Sequence, residues 1–132
     1  MTAPTLRRYL THNSFDPDLV FLLEDIASAS RLIAGLVRRG AFEGNLGAAG
    51  EINVQGEAQK TLDIMANDVF ERECANSPRL AALVSEEVEE VTWLKEPQKG
   101  DYLLYFDPLD GSSNLDVNLS VGSIFSVMQV QA

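Results

Sequence analysis

A single apolar stripe along residues 16–40 restricts the fold more than any other feature of the sequence. Within this segment the apolar side chains recur every three or four residues, the spacing that gathers them on one face of an α-helix. They are Leu19, Leu22, Leu23, Ile26, Ile33, Leu36 and Val37. Asp16 suits the N-cap, Pro17 the first helical position and Gly40 the C-terminal stop. The segment therefore predicts one long helix that buries a single face in the core.

A second helical pattern runs from about Glu57 to Cys74. Its apolar positions, which fall on one face, are Leu62, Met65, Val69 and Phe70. Ser77-Pro78 closes this helix, because the residue before a proline avoids helical backbone angles. The glycine-rich segment Gly44–Gly50 between the two helices is predicted to be a loop.

Short apolar runs replace the helical spacing in the second half of the chain. They are Leu80–Val84, a weaker run at Val91–Leu94, then Tyr102–Phe106 and Leu119–Val130. Runs of this length are typical of β-strands, and the last one alternates, with Val121, Ser123, Phe125 and Val127 on one face. Two helices followed by strands predict an α+β fold, in which two long helices pack on a mixed or antiparallel sheet. Residues 1–132 are expected to form one domain.

Charge and residue usage exclude several classes of partner. The chain has 20 acidic and 10 basic residues, a formal net charge of −10, so it repels the phosphate backbone of nucleic acids. Cys74 is the only cysteine and His12 the only histidine, which excludes an intrachain disulfide and a zinc site built from these two alone. No apolar run approaches the roughly 20 residues that span a bilayer. We expect a cytoplasmic protein without a membrane or nucleic-acid partner.

Two aspartates lie three residues apart directly after the run Tyr102–Phe106. They are Asp107 and Asp110, and Pro108 between them favours an extended turn. Such a turn aims both carboxylates and the Leu109 carbonyl at one point. Oxygen ligands of this kind suit magnesium or manganese and not zinc. The sequence therefore predicts a metal site at the end of this strand.

The residues that follow the second aspartate favour anion binding. Gly111, Ser112 and Ser113 offer successive backbone N–H groups with little side-chain bulk, and they are placed to open a short helix. A metal site beside such a nest of amides is typical of phosphoester chemistry, because metals hold phosphoryl oxygens while amides orient them. The alternative is an ordinary Asp-Gly turn at a strand end.

A further pair of carboxylates, Glu86 and Glu87, follows the strand Leu80–Val84. Adjacent residues of a strand point to opposite sides, so the two are expected to have different roles. One would ligate the metal, and the other would orient or deprotonate a water molecule. The alternative is a solvated acidic loop, and Glu89 and Glu90 are interpreted as surface residues in either case.

Glu57 and Asp63 on the second helix are open to two interpretations. Glu57 lies near the helix start, where the helix dipole favours a carboxylate in any case. Asp63 follows Leu62 and lies beside the apolar stripe, which is compatible with a surface acid and with a site residue. His12, Cys74 and Trp93 form no recognisable constellation and are interpreted as structural or surface residues.

Taken together, these motifs resemble class I fructose-1,6-bisphosphatase, within the lithium-sensitive, magnesium-dependent phosphatases that include inositol monophosphatase. The matching segments occur in the family's order and at its spacing. They are Asn53–Glu57, Lys60–Asp63, Val84–Glu87, Asp107–Asn114 and Ser120–Phe125. The wider superfamily shares only the aspartate-proline-hydrophobic-aspartate-glycine core. The Ser112-Ser113-Asn114 continuation and the Ser-Val-Gly-Ser-Ile-Phe stretch favour the fructose-bisphosphatase branch.

The resemblance implies specific roles for individual residues. The magnesium ligands, with manganese a plausible substitute, would be Glu86, Asp107, Asp110, the Leu109 carbonyl and, at a further position, Glu57. The 1-phosphate of the sugar would bind to Asp110, Gly111, Ser112 and Ser113. Glu87, supported by Asp63, would activate the attacking water.

The implied reaction is hydrolysis of the 1-phosphate of fructose 1,6-bisphosphate to fructose 6-phosphate and phosphate, a step of gluconeogenesis or related carbohydrate metabolism. An inositol-monophosphatase-like or sedoheptulose-bisphosphatase enzyme, or a non-catalytic truncated fragment, is the alternative. Family members continue into a second domain, whereas this sequence stops at Ala132. Residues 1–132 are thus expected to be the N-terminal metal- and 1-phosphate-binding domain, with the second domain absent. Homotetramers are the family expectation.

Overall fold

The structure, a computed structural model, describes residues 2–42, 52–117 and 120–132. The predicted loop Gly44–Gly50 lies outside these ranges. Within them, three α-helices, four β-strands and one 3₁₀ helix follow one another along the chain. In order they are α1 Leu6–His12, α2 Pro17–Phe42, α3 Ile52–Cys74, β1 Leu80–Ser85, β2 Thr92–Trp93, β3 Tyr102–Asp110, the 3₁₀ helix Ser112–Val117 and β4 Gly122–Gln129. Among these helices none is long and apolar enough to cross a membrane.

The four strands form one mixed sheet in the order β2-β1-β3-β4. β1 and β3 are parallel, while β2 pairs antiparallel with β1 and β4 antiparallel with β3. The two-residue strand β2 carries the chain back toward the start of β1, so that β3 begins at the same end. The predicted α+β fold with helices on a mixed sheet is confirmed.

The core lies between the sheet and the two long helices. Its central contact is a stacked aromatic pair: the rings of Phe70 on α3 and Phe106 on β3 have centroids 4.4 Å apart and planes 9° from parallel. Leu22 on α2 and Leu104 on β3 are fully buried in the same cluster. Cys74 is also completely buried there. The apolar stripe predicted for α2 therefore faces the core, and so does that of α3 except for Met65, which was predicted to be buried but is 42% exposed.

The start of α2 is tied to the sheet by a polar network around Asp16. One oxygen of this predicted N-cap accepts the Asp18 N–H at 2.9 Å. The other oxygen accepts from the Arg79 guanidinium at 2.9 Å and from the Tyr102 hydroxyl at 3.0 Å. This network joins the helix to Arg79, directly before β1, and to Tyr102, the first residue of β3, at the end of the sheet where the two parallel strands start.

Two helix boundaries were predicted wrongly, and one helix was not predicted. Gly40 does not stop α2, which continues to Phe42, and α3 begins at Ile52 rather than at Glu57. An internal glycine costs a helix only about 1 kcal/mol, which packing along the rest of a long helix outweighs. The short helix α1 was not predicted. It is capped by Thr5, whose side chain accepts the Arg8 N–H, and it buries only Leu10.

The aspartate motif lies within a strand and not in a turn beyond it. β3 continues through Asp107 to Asp110, and its register with β4 shifts between these two residues. Pro108 explains the irregularity, because proline has no N–H for the ladder and is tolerated at a bulge. β4, at Gly122–Gln129, is shorter than the predicted run Leu119–Val130.

Phe70, one ring of the stacked pair, is predicted to contribute strongly to the free energy of unfolding. Phe70→Ala should lower the free energy of unfolding by about 3–5 kcal/mol, because it removes a fully buried ring and leaves a cavity against Phe106. Phe21→Ala is the matched control, since Phe21 is 51% exposed on α2 and its loss should cost less than about 1 kcal/mol. Urea denaturation measures both. Equal losses in the two variants would contradict this assignment of the core.

Candidate active site

The carboxyl ends of β1 and β3 bring two acidic segments to one edge of the sheet. β1 ends at Ser85, which pairs with Phe106, and Asp107 is the next residue of β3. The Glu86 N–H donates to the Phe106 carbonyl at 3.0 Å, which extends the parallel pairing by one residue. Glu86 and Glu87 then occupy a turn directly beside Asp107.

The side chains of Glu86, Glu87 and Asp107 converge. Each presents a carboxylate oxygen, and these oxygens all lie within 4.8 Å of one another. The expectation that the two glutamates point to opposite sides of a strand was wrong. The chain leaves the strand after Ser85 and turns, so strand alternation does not apply to them. Both carboxylates can therefore serve the same centre.

Asp63 on α3 lies close enough to this cluster for its negative charge to act on Glu87. Its Oδ2 accepts a hydrogen bond from the Ser112 hydroxyl at 3.3 Å. Its Oδ1 is buried and has no hydrogen-bond partner, alone among the buried side-chain polar atoms of the described residues. A buried carboxylate oxygen without a partner is costly unless a cation or proton approaches it.

Burial, and then neighbouring negative charge, raise the pKa values of three carboxylates at this site. Partial burial, followed by the negative charges of Asp63 and Glu86, raises the pKa of Glu87 to about 6. Burial also raises the pKa of Asp63 and that of Asp107, and the charge of Glu86 contributes to both. The cluster therefore holds more negative charge than its surroundings compensate.

This donor set fits a hard divalent cation. The carboxylate oxygens of Glu86, Glu87 and Asp107 converge, and with the buried, unpartnered Oδ1 of Asp63 nearby they match the ligand preference of magnesium and manganese. The only thiol is that of Cys74, and burial followed by the charges of Asp25 and Glu73 raises its pKa to about 12. A neutral thiol in the core is a poor metal ligand.

The backbone after Asp107 shapes the rest of the motif. The Leu109 N–H donates to Asp107 Oδ1 at 3.1 Å, and the Leu109 side chain is buried in the core. Asp110 ends β3 in an exposed position. Gly111 has a φ of 78°, a conformation that residues with a Cβ rarely adopt. The strand is thus anchored by Leu109 and turns sharply just after the second aspartate.

The predicted short helix follows this turn as the 3₁₀ helix that begins at Ser112. Besides donating to Asp63, the Ser112 hydroxyl accepts a hydrogen bond from Gln59 Nε2 at 3.3 Å. Ser113 is exposed. The start of the 3₁₀ helix is therefore linked to α3 beside the carboxylate cluster.

Glu57 is not part of the carboxylate cluster of Glu86, Glu87 and Asp107. It is an exposed residue of α3, and the carboxylates that converge within 4.8 Å of one another do not include it. Its role as a metal ligand stays a prediction. Trp93 is 59% exposed on β2, and His12 ends α1.

Sequence reasoning missed three residues around the cluster: Gln59, Asn67 and Ser85. Gln59 and Asn67 lie four residues before and after Asp63, so all three share one face of α3. That spacing was the available signal. Ser85 belongs to the Val84–Glu87 motif but carries no charge, and nothing in the sequence distinguishes it from a plain strand residue.

Comparison with known proteins identifies the family. A family model described as the N-terminal domain of fructose-1,6-bisphosphatase matches residues 5–132. The class 1 fructose-1,6-bisphosphatase of Methylobacillus flagellatus is 49% identical over 111 residues, which is 84% of this chain and 33% of that protein. That of Halorhodospira halophila is 51% identical over 109 residues, 82% of this chain and 32% of that protein.

A similar structure is known from a more distant source. Leishmania major fructose-1,6-bisphosphatase in its holo form has a TM-score of 0.80 and 36% sequence identity, over 100% of this chain and 40% of that one. The chain thus spans about a third of the length of the curated relatives it matches. With a family model that matches nearly its whole length, the chain belongs to the fructose-1,6-bisphosphatase family, as the N-terminal domain of its members.

Proposed function

We propose that this chain supplies the metal and the 1-phosphate site of an enzyme that hydrolyses fructose 1,6-bisphosphate to fructose 6-phosphate and phosphate. The observation that carries the proposal is the convergence of the Glu86, Glu87 and Asp107 carboxylates beside the unpartnered Oδ1 of Asp63. The names of the relatives support the choice of substrate over an inositol phosphate or sedoheptulose bisphosphate. A cytoplasmic homotetramer is the corresponding expectation for the whole protein.

The ion in this proposal is magnesium, with manganese a suitable replacement. Its ligands would be Glu86, Asp107, Asp110 and the Leu109 carbonyl, with Glu57 at a further position. When bound, such an ion lowers the pKa of a coordinated water and offsets charge on the phosphoryl and leaving oxygens.

Glu87 is suited to accept the proton of the attacking water. A carboxylate with a pKa of about 6 is ionised at neutral pH and is a stronger base than an ordinary glutamate. Asp63 supports this role because its negative charge contributes to the raised pKa of Glu87. The raised pKa of Glu87 thus suits a general base.

The phosphate would lie against Asp110, Gly111, Ser112 and Ser113. Gly111 turns the backbone at its positive φ, and the 3₁₀ helix that follows begins with the amides of both serines. Backbone N–H groups at such a start favour a phosphate oxygen. Since Asp110 is shared with the metal, a bound cation would offset its repulsion of the phosphate.

Removal of one carboxylate tests the metal centre. Glu86→Gln should weaken Mn²⁺ binding by more than about tenfold, because an anionic ligand becomes neutral. The matched control is Glu89→Gln, the same change at an exposed position of the following loop, which should leave the affinity within about twofold. Titration of free Mn²⁺ by electron paramagnetic resonance gives both affinities. Equal affinities in the two variants would remove Glu86 from the metal centre.

The raised acidities predict how the stability of the metal-free chain depends on pH. Glu87 has a pKa of about 6 when folded and 4.5 when unfolded, so the folded state holds its proton more tightly. The stability from this group is fully present below the unfolded value and is lost as pH rises through about 6. Asp63 and Asp107 act in the same direction, whereas the lowered pKa values of Asp16 and Asp101 act only at lower pH.

The melting temperature of the metal-free chain should therefore fall from about pH 5 to about pH 7, and Mn²⁺ should reduce that fall. Glu87→Gln should flatten the slope, which separates this effect from general charge repulsion. Thermal unfolding followed by circular dichroism measures the slopes. A slope that is unchanged in the variant would contradict the assignment.

The 132 residues alone should hydrolyse fructose 1,6-bisphosphate much more slowly than the full-length Methylobacillus flagellatus relative. The chain spans only 33% of that protein, and contacts to the rest of the substrate are needed to position the reacting phosphate. Phosphate release under saturating magnesium measures both rates. Comparable rates would show that the described site is complete without further residues.

A further inference from the structure

A buried chain of hydrogen bonds links α3 to the turn that carries the two glutamates. Asn67 on α3 is 6% exposed, and Ser85 at the end of β1 is 7% exposed. The Ser85 hydroxyl donates to Asn67 Oδ1 at 2.5 Å. The Glu87 backbone N–H in turn donates to Ser85 Oγ at 3.1 Å. Glu87 is therefore connected to the helix through one serine hydroxyl.

The direction of these bonds follows from the chemistry of serine. A hydroxyl has one proton and two lone pairs, so donation to Asn67 leaves Ser85 Oγ free to accept from Glu87. An O···O distance of 2.5 Å lies at the short end for such bonds. Because both side chains are buried, loss of Ser85 leaves Asn67 Oδ1 without this donor, and loss of Asn67 leaves the Ser85 hydroxyl proton without its acceptor. The arrangement therefore resists local displacement.

The turn is held from two sides. β3 fixes Glu86 through the Phe106 carbonyl, at 3.0 Å, and α3 fixes Glu87 through Ser85 and Asn67. Asn67 follows Asp63 by one helical turn, so the same face of α3 carries a carboxylate whose charge acts on Glu87 and the amide that restrains the facing turn. The hydrogen bonds from β3 and from α3 therefore both restrain the position of the Glu86–Glu87 turn relative to Asp107.

The link acts against a repulsive force. Three carboxylate oxygens within 4.8 Å of one another repel when ionised, and a free turn would relax outward to separate them. A turn that relaxes would no longer present its oxygens at the spacing of a single cation. Hydrogen bonds outside the cluster are therefore required to hold these carboxylates close together before a cation binds.

We propose that Asn67 is a positioning residue of the metal centre: through Ser85 it holds the Glu86–Glu87 turn where its carboxylates converge with Asp107. Asn67 acts on backbone geometry and is not itself a ligand. This inference rests on the proposed metal-dependent function, and it assigns a role to two uncharged residues outside the predicted ligand set.

The test measures the Mn²⁺ affinity of the 132-residue chain near neutral pH by electron paramagnetic resonance. Ser85→Ala and Asn67→Leu each break the link at one end and should weaken binding by about tenfold or more, as loss of residues that orient metal ligands does. Ser77→Ala is the matched control. Ser77 is also 6% exposed, and it donates at 2.5 Å to Asp25 Oδ2, so the control breaks a similar buried bond elsewhere.

The control variant should melt at a lower temperature and keep its Mn²⁺ affinity within about twofold. The double variant Asn67→Leu with Ser85→Ala should bind no more weakly than the weaker single variant, because both changes interrupt one link. Affinities like that of the control in Ser85→Ala and Asn67→Leu, or additive losses in the double variant, would overturn the proposal.

The same titration separates this inference from the function on which it rests. An unsubstituted chain that binds no Mn²⁺ would overturn both. An unsubstituted chain that binds Mn²⁺, together with single variants that bind equally well, would overturn the positioning role alone and leave the metal centre intact.

Discussion

The candidate site depends first on the parallel pairing of β1 and β3. Parallel neighbours end at the same edge of a sheet, so whatever follows β1 meets whatever ends β3. Here that geometry places the Glu86–Glu87 turn beside Asp107. An antiparallel pair would have put these acids at opposite ends. The small strand β2 makes the parallel arrangement possible, because it returns the chain to the end at which β3 starts.

Much of this could be predicted from the sequence, because it depends on local patterns. Apolar spacing located both long helices, and short apolar runs located all four strands of the described sheet. The spacing of Asp107 and Asp110 predicted oxygen-ligand chemistry; Asp107 is among the converging carboxylates, whereas Asp110 is not and its role as a ligand stays a prediction. The sequence could not show that the carboxylates of Glu86 and Glu87 converge, because that depends on where β1 ends. Strand alternation gave the wrong answer because β1 ends at Ser85 and the chain turns at Glu86 and Glu87.

Other features could not be predicted because they depend on tertiary contacts. The ends of α2 and α3 continue past the local signals at Gly40 and Glu57, where packing outweighs propensity. The hydrogen bond between Ser85 and Asn67 joins residues 18 positions apart and involves no charged group, so no sequence motif predicts it. Asp63 illustrates an intermediate case: its place beside the apolar stripe was visible, but its unpartnered oxygen was not.

β3 has a neighbouring strand on both sides, and its inner face packs in the core through Leu104 and Phe106. Segments of this kind are among the last to open in native-state hydrogen exchange, with opening free energies close to that of global unfolding. Asp107 is carried by this strand. The centre would therefore differ from metal sites that assemble only as the chain folds around the ion. A cation would bind to a strand that is already ordered, and little of its binding free energy would be needed to order that strand.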